Sequence, residues 1–305
     1  MTRFAVTRRA LVGGLGSIAA LAACARGGAE EKKKAAPAAG WHDVAFPASD
    51  DQPDGQLAAI YAPDAAKGWP VLVALHGRGE AGRGLDVGAH GWRDDYDLDG
   101  RRARLESPPL SAADAGDFLP PERLESINAS LAKTPWRGLA VVCPYTPVPT
   151  GRDVESVRPF ARFVTGPLLE KAAELVGGRV RREATGIDGV SMGGRYALLV
   201  GWTRPEVFGA VGALQPAIHE DEADDLAELA LTAKKRSAQM VRLVTSEDDP
   251  FLEPTRALAA ALAKRGVAHR LVVAKGPHDY VWNRGPGSIE LLAFHERVLR
   301  GVEAP

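Results

Sequence analysis

Disulfides can do little for this chain. Its 305 residues include two cysteines, Cys24 and Cys143, too few for a disulfide scaffold. Aromatic residues are scarce, at 6%. Charge of neither sign dominates, the net value being −1, so the chain as a whole gives no reason to expect a nucleic-acid partner. No apolar run reaches the roughly 18 residues needed to span a bilayer. H-E-x-x-H, C-x-x-C and G-x-x-x-x-G-K-S/T are absent, as is a dinucleotide fingerprint with an acid downstream. Those absences argue against zinc-protease, dithiol and nucleotide chemistry, and no metal or cofactor is expected. The glycine-rich Ala81–Gly84 lacks a phosphate-loop lysine. The acidic cluster Asp94, Asp95, Asp97 and Asp99 matches no cation-loop spacing and reads as a solvated loop. What remains is ordinary globular usage, 45% hydrophobic and 25% charged, with 33 glycines and 22 prolines punctuating it.

The first forty residues read as an address. Arg3, Arg8 and Arg9 form a basic start without an acid, and an apolar stretch runs from Ala10 to Ala23. That is a signal peptide over residues 1–23, too short for a stable span. Thr7-Arg8-Arg9 resembles a twin-arginine signal, and Leu21-Ala22-Ala23-Cys24 resembles a lipobox. Cys24 is therefore the expected lipidation site, anchoring an exported protein to a membrane of the periplasm or cell envelope. Residues 24–40 are small, charged and broken by proline and glycine, as a flexible tether would be. With Cys24 lipidated, Cys143 is the one remaining thiol and no internal disulfide can form.

From residue 41 to 305 a single α/β domain is expected. Short runs rich in Val, Leu and Ala at 57–61, 71–75, 139–143, 184–190, 210–214, 240–245 and 269–274 read as strands covered on both faces. Helical patterns fall between them at 155–176, 192–203, 222–238, 254–265 and 287–300. The segment 222–238 opens on acids and closes on bases, which complements a helix dipole. Strand-helix alternation means a mostly parallel sheet with helices on both faces. One long insert, about 77–138, breaks the rhythm; inserts of this length at a sheet's carboxyl edge are often functional or lid-like.

Three places carry chemistry. Gly189-Val190-Ser191-Met192-Gly193 is G-x-S-x-G between a strand and a helix, the setting of a strained turn that lifts a serine nucleophile above the sheet. Strand 71–75 runs into His76-Gly77-Arg78. There the backbone N–H of Arg78 is a candidate oxyanion donor beside that of Met192, and His76 is expected to shape the turn. Two late strands end at Asp248-Asp249 and at His278. A carboxylate after the penultimate strand and a histidine after the last complete the order Ser…Asp…His. Counting from the strand end favours Asp248, with Asp249 left to cap the next turn.

On LHGRGE at 75–80, GVSMGG at 189–194 and GPHDYVW at 276–282, the chain resembles the α/β-hydrolases, closest to the esterase branch that includes esterase D, enterochelin esterases and mycolyltransferases. The last motif is similar to that branch's Gly-x-His-Asp/Ser-Trp-x-x-Trp, with Tyr280 in place of the first aromatic and Trp282 one position early. The resemblance implies an α/β-hydrolase fold and metal-free hydrolysis of a small-molecule or saccharide-linked carboxylic ester. The catalytic residues are then Ser191, His278 and Asp248, with Arg78 and Met192 at the oxyanion. Two other readings use the same features. One is an acyltransferase with an alcohol acceptor, and the other a non-catalytic envelope protein that binds a ligand on this fold.

Overall fold

A computed structural model describes residues 38–64, 68–178 and 180–305. The signal peptide, Cys24 and most of the tether lie outside the described residues. Eight strands form one sheet: β1 Gly40–Phe46, β2 Gln56–Ala62, β3 Val71–Leu75, β4 Ala140–Pro144, β5 Thr185–Gly189, β6 Ala210–Leu214, β7 Met240–Asp248 and β8 Arg270–Pro277. Their order is β1-β2-β4-β3-β5-β6-β7-β8. The β1–β2 and β2–β4 pairs are antiparallel, and every other neighbouring pair is parallel. Every residue of β3, β4, β5 and β6 is buried, which is why these strands read as continuous apolar runs rather than alternating ones. β1, with the sequence GWHDVAF, was not among the expected strands. It is an edge strand whose residues are at most half-buried, so no apolar run marks it.

The helices are α1 Arg78–Ala81, α2 Leu85–Ala89, α3 Leu98–Glu106, α4 Pro121–Lys133, α5 Val154–Phe163, α6 Leu169–Val176, α7 Met192–Thr203, α8 Ala223–Arg236, α9 Leu252–Lys264, α10 Tyr280–Trp282 and α11 Ser288–Leu299. None of the described helices is long and apolar enough to cross a membrane. Asp153 caps α5 by accepting the Ser156 N–H at 2.9 Å. The expected helix 155–176 is α5 and α6 joined through a widened turn at 164–168, where Pro167 has no N–H to donate and the normal ladder cannot continue.

One sheet face packs against α5–α9, through Phe160, Leu168, Trp202, Leu226 and Leu258. The other is covered by α11 together with the long insert. Trp92, Tyr96, Leu105 and Ile127 of residues 77–138 are at most 1% exposed and belong to that second core. Burying each such side chain contributes about 1.5–3 kcal/mol. The insert is thus a structural layer of the domain rather than a detachable lid. Its acidic cluster is not left bare to solvent. Asp94, Asp95 and Asp97 pair with Arg93, Arg83 and Arg101, while Asp99 meets Arg102 and accepts the Trp41 indole N–H.

A buried charge network ties the layers together. Arg242 on β7 donates to Asp188 on β5 at 2.6 Å and to the backbone carbonyl of Glu290 on α11. Arg123 on α4 grips the Glu290 carboxylate in a bidentate pair at 2.6 and 2.7 Å. His295 on α11 reaches the same Asp188 oxygen at 2.9 Å. Asp188, Arg242, Glu290 and His295 are wholly buried, a state that charged groups tolerate only when each is paired. Because Asp188 stands three residues before Ser191, the network also fixes the strand end from which the serine rises.

Candidate active site

The carboxyl ends of β3, β5, β7 and β8 face one rim of the sheet, and each delivers one part of the site. Ser191 follows β5 and holds φ 57° and ψ −118°. That backbone conformation is costly for a residue with a side chain. It persists because both sides of the turn are pinned. The Ser191 N–H donates to Leu214 on β6 at 2.9 Å, and its carbonyl accepts from Arg195 and Ala217 at 3.1 and 2.9 Å. The elbow also needs Gly193, where a Cβ would lie 2.3 Å from the Leu75 carbonyl oxygen of β3. Among the described residues, none hydrogen-bonds the Ser191 hydroxyl.

After β3, the turn His76-Gly77 leads into α1, and Arg78 and Met192 are the first residues of α1 and α7. The first N–H groups of a helix have no intrahelical acceptor and are free to serve a ligand. His76 shapes this turn. Its Nδ1 donates to the Gly77 carbonyl at 2.9 Å and its Nε2 accepts the Thr146 N–H at 2.7 Å. Burial holds the ring neutral by pushing its pKa down to about 4.

The histidine arrives on the turn after β8. Its Nδ1 lies 2.9 Å from Oδ1 of Asp249. Asp249 is buried, and it also accepts the Thr245 hydroxyl at 2.7 Å and the Phe251 N–H at 3.0 Å. Since an ionised carboxylate can only accept, the ring proton sits on Nδ1 and Nε2 is left with its lone pair. This corrects the expectation for the acid: Asp249, not Asp248, meets His278. β7 runs on to Asp248, with a register shift between Ser246 and Asp248 against β8. The extra residue turns Asp248 outward, exposed, and carries Asp249 into the site. The proposed capping role of Asp249 is partly met by its bond to Phe251, so one side chain serves both the turn and the histidine.

Phe251 stands edge-on to the His278 ring, with centroids 5.4 Å apart. Together with Ser191, Met192 and Arg78 it lines an open cavity of about 500 Å³. Three of the expected site residues, Arg78, Ser191 and Met192, therefore share one cavity, while His278 does not line it and instead packs against Phe251, which does.

Behind the oxyanion turn a cluster forms around a buried acid not singled out among the expected site residues. Glu80 is 2% exposed. The phenols of Tyr96 and Tyr280 lie against its carboxylate, and the Tyr96 oxygen accepts the Gly77 N–H at 3.4 Å. Burial, and then the adjacent carboxylate, raises both phenols, Tyr280 to about 12. Tyr280 belongs to GPHDYVW and Glu80 to LHGRGE. The second motif aromatic, Trp282, is fully buried and donates its indole N–H to the Lys275 carbonyl at 3.1 Å.

The strand order and a strained serine at the strand edge define an α/β-hydrolase fold. Residues 160–285, the stretch holding Ser191, Asp249 and His278, match the family model described as "Putative esterase". No curated protein matches the sequence significantly. Solved structures of similar fold include a ferulic acid esterase (TM-score 0.61, 17% identity, 86% of this chain and 100% of that one). The S-formylglutathione hydrolase FrmB of Staphylococcus aureus also aligns (TM-score 0.56, 12% identity, 82% of this chain and 96% of that one). So does the enterobactin esterase FES of Shigella flexneri (TM-score 0.54, 17% identity, 84% of this chain and 60% of that one). At such identities the likeness is one of fold.

Proposed function

We propose that this chain is a serine hydrolase that cleaves carboxylic esters through an acyl-enzyme. The observation that carries the reading is the bond between His278 and a buried, triply bonded Asp249, at the strand edge where Ser191 is held in a strained turn. The family match over 160–285 supports it.

In this mechanism the Ser191 oxygen attacks the ester carbonyl carbon and His278 Nε2 takes the hydroxyl proton. Asp249 keeps the ring in the required tautomer and offsets the imidazolium charge. The amides of Arg78 and Met192 receive the oxyanion, each lowering the barrier by about 3 kcal/mol. Collapse of the tetrahedral intermediate breaks the bond to the alcohol, which leaves with the proton from His278. Water then attacks the acyl-enzyme, gives a proton to the same nitrogen, and the acid departs as Ser191 recovers its proton.

The proposal includes a location. Residues 1–23 export the chain and Cys24 anchors it through lipid to the cell envelope, with residues 24–40 as the tether. Cys24→Ser is expected to move the protein from the membrane to the soluble fraction.

The direct test is labelling with a fluorophosphonate probe and turnover of 4-nitrophenyl acetate. Wild-type protein is expected to do both. Ser191→Ala, folded to the same melting temperature or higher, is expected to do neither. Full turnover by that variant overturns the mechanism.

A further inference from the structure

The cavity beside Ser191 is lined by Arg78, Arg152, Arg195 and His219, and no carboxylate lines it. Arg195 is neutralised, since its guanidinium forms a bidentate pair with Glu222 at 2.5 Å on both arms. Arg78 and Arg152 are not. Both are exposed, and among the described residues neither has an ion-pair partner. They contrast with the insert, where Arg83, Arg93, Arg101, Arg102 and Arg104 each meet an acid.

Both free arginines are held by built features. Arg78 is carried by the oxyanion turn itself. Arg152 is held through its backbone, because its carbonyl oxygen accepts from Arg195 one helical turn beyond Ser191, and the next residue, Asp153, caps α5. The Arg152 loop is therefore tied to the nucleophile's own helix, with its guanidinium left over. Arg152 also borders the adjacent cavity that Asp153, Glu222, Asp225 and Glu228 line, but it pairs with none of them, so two cations without ion-pair partners stand at the cavity beside the nucleophile. A guanidinium presents a planar fork that suits a carboxylate.

We infer that the substrate is an ester carrying a carboxylate, seated against Arg78 and Arg152 while its ester carbonyl meets Ser191. This rests on the esterase reading and narrows it. It also gives the Arg78 side chain a task separate from that of its backbone N–H.

The test uses matched esters with Ser191→Ala as the blank. One pair places the charge on the acyl side: the 4-nitrophenyl half-ester of glutaric acid against 4-nitrophenyl pentanoate. The other places it on the leaving group: the acetate ester of 4-hydroxybenzoic acid against phenyl acetate. The reading is the charged-to-neutral ratio of kcat/KM in the wild type and in the Arg78→Gln, Arg152→Gln double variant. In one pair the ratio is expected to fall at least tenfold in the double variant and to fall in the wild type as salt is raised. Retaining charge with Arg152→Lys is expected to keep most of the preference. A ratio that the double substitution leaves unchanged in both pairs overturns the inference while leaving the hydrolase standing. Failure of the wild type to turn over any of the four esters, without fluorophosphonate labelling of Ser191, overturns the hydrolase reading itself.

Discussion

Tyr280, two residues beyond His278, sets its phenol against the buried carboxylate of Glu80, two residues beyond Arg78. This contact joins the histidine turn to the oxyanion turn, and Tyr96, against the same carboxylate, accepts the Gly77 N–H. Two loops that must be in register for catalysis thus share one buried acid, and the insert supplies the third partner.

Removing that link has a defined consequence. Tyr280→Phe removes a polar neighbour from the buried Glu80 carboxylate, and an underbonded buried carboxylate costs about 1–3 kcal/mol. With Tyr280 40% exposed, water replaces part of the lost contact, so a loss near the low end, about 1 kcal/mol, is expected in urea unfolding. Turnover should fall several-fold through kcat, with KM little changed, because the substituted hydroxyl positions the two turns. A KM effect alone would show that the contact serves binding instead.

The two adjacent acids separate cleanly. Asp249→Asn removes the acceptor that holds the His278 tautomer, and kcat is expected to drop on the order of 10⁴-fold. Asp248→Asn alters an exposed side chain and should stay within about twofold of wild type. Steady-state kinetics on any ester that the protein hydrolyses will decide, and the reverse ranking would return the role to Asp248.

Stability should fall on mild acidification. His76 binds its proton near pH 4 in the folded protein against an ordinary 6.5, so the unfolded chain takes up protons first. Its contribution is complete above about pH 6.5 and is lost as pH falls toward 4. Between pH 7.5 and 5 this amounts to about 2 kcal/mol. His295, also lowered by burial, adds a loss of the same sign. Urea midpoints at the two pH values should show the decline, and His76→Gln should flatten it.

Arg242→Met strands Asp188, with His295 as its remaining side-chain partner, and removes a donor to Glu290. Breaking one member of a buried charge network costs about 3–5 kcal/mol. The thermal midpoint should drop by many degrees. Replacing Arg236, whose pair with Glu206 is about half exposed, should shift it little.

Much of this fold was readable along the chain, for identifiable reasons. Strands β3 to β6 are buried on both faces, so burial left unbroken apolar runs such as Val71–Leu75. Helix α7 begins at Met192 as its pattern implies, because the elbow glycines and the strained serine are local in sequence. β1 left little trace, since an edge strand need not be apolar. The insert reads as lid-like along the chain because its buried residues, Trp92 to Ile127, are spread thinly between charged ones and meet their partners on α11 and the sheet.

From the residues alone came the alternation of strands and helices, a serine in a glycine-flanked turn, and an acid and a histidine following it in order. Those features are carried by neighbours a few positions apart. The choice of Asp249 over Asp248, the anchoring of both catalytic turns on Glu80, and the pairing that frees Arg78 and Arg152 while silencing Arg195 were decided by tertiary structure. Each depends on a register shift between two strands or on groups distant in the chain, which no local pattern encodes.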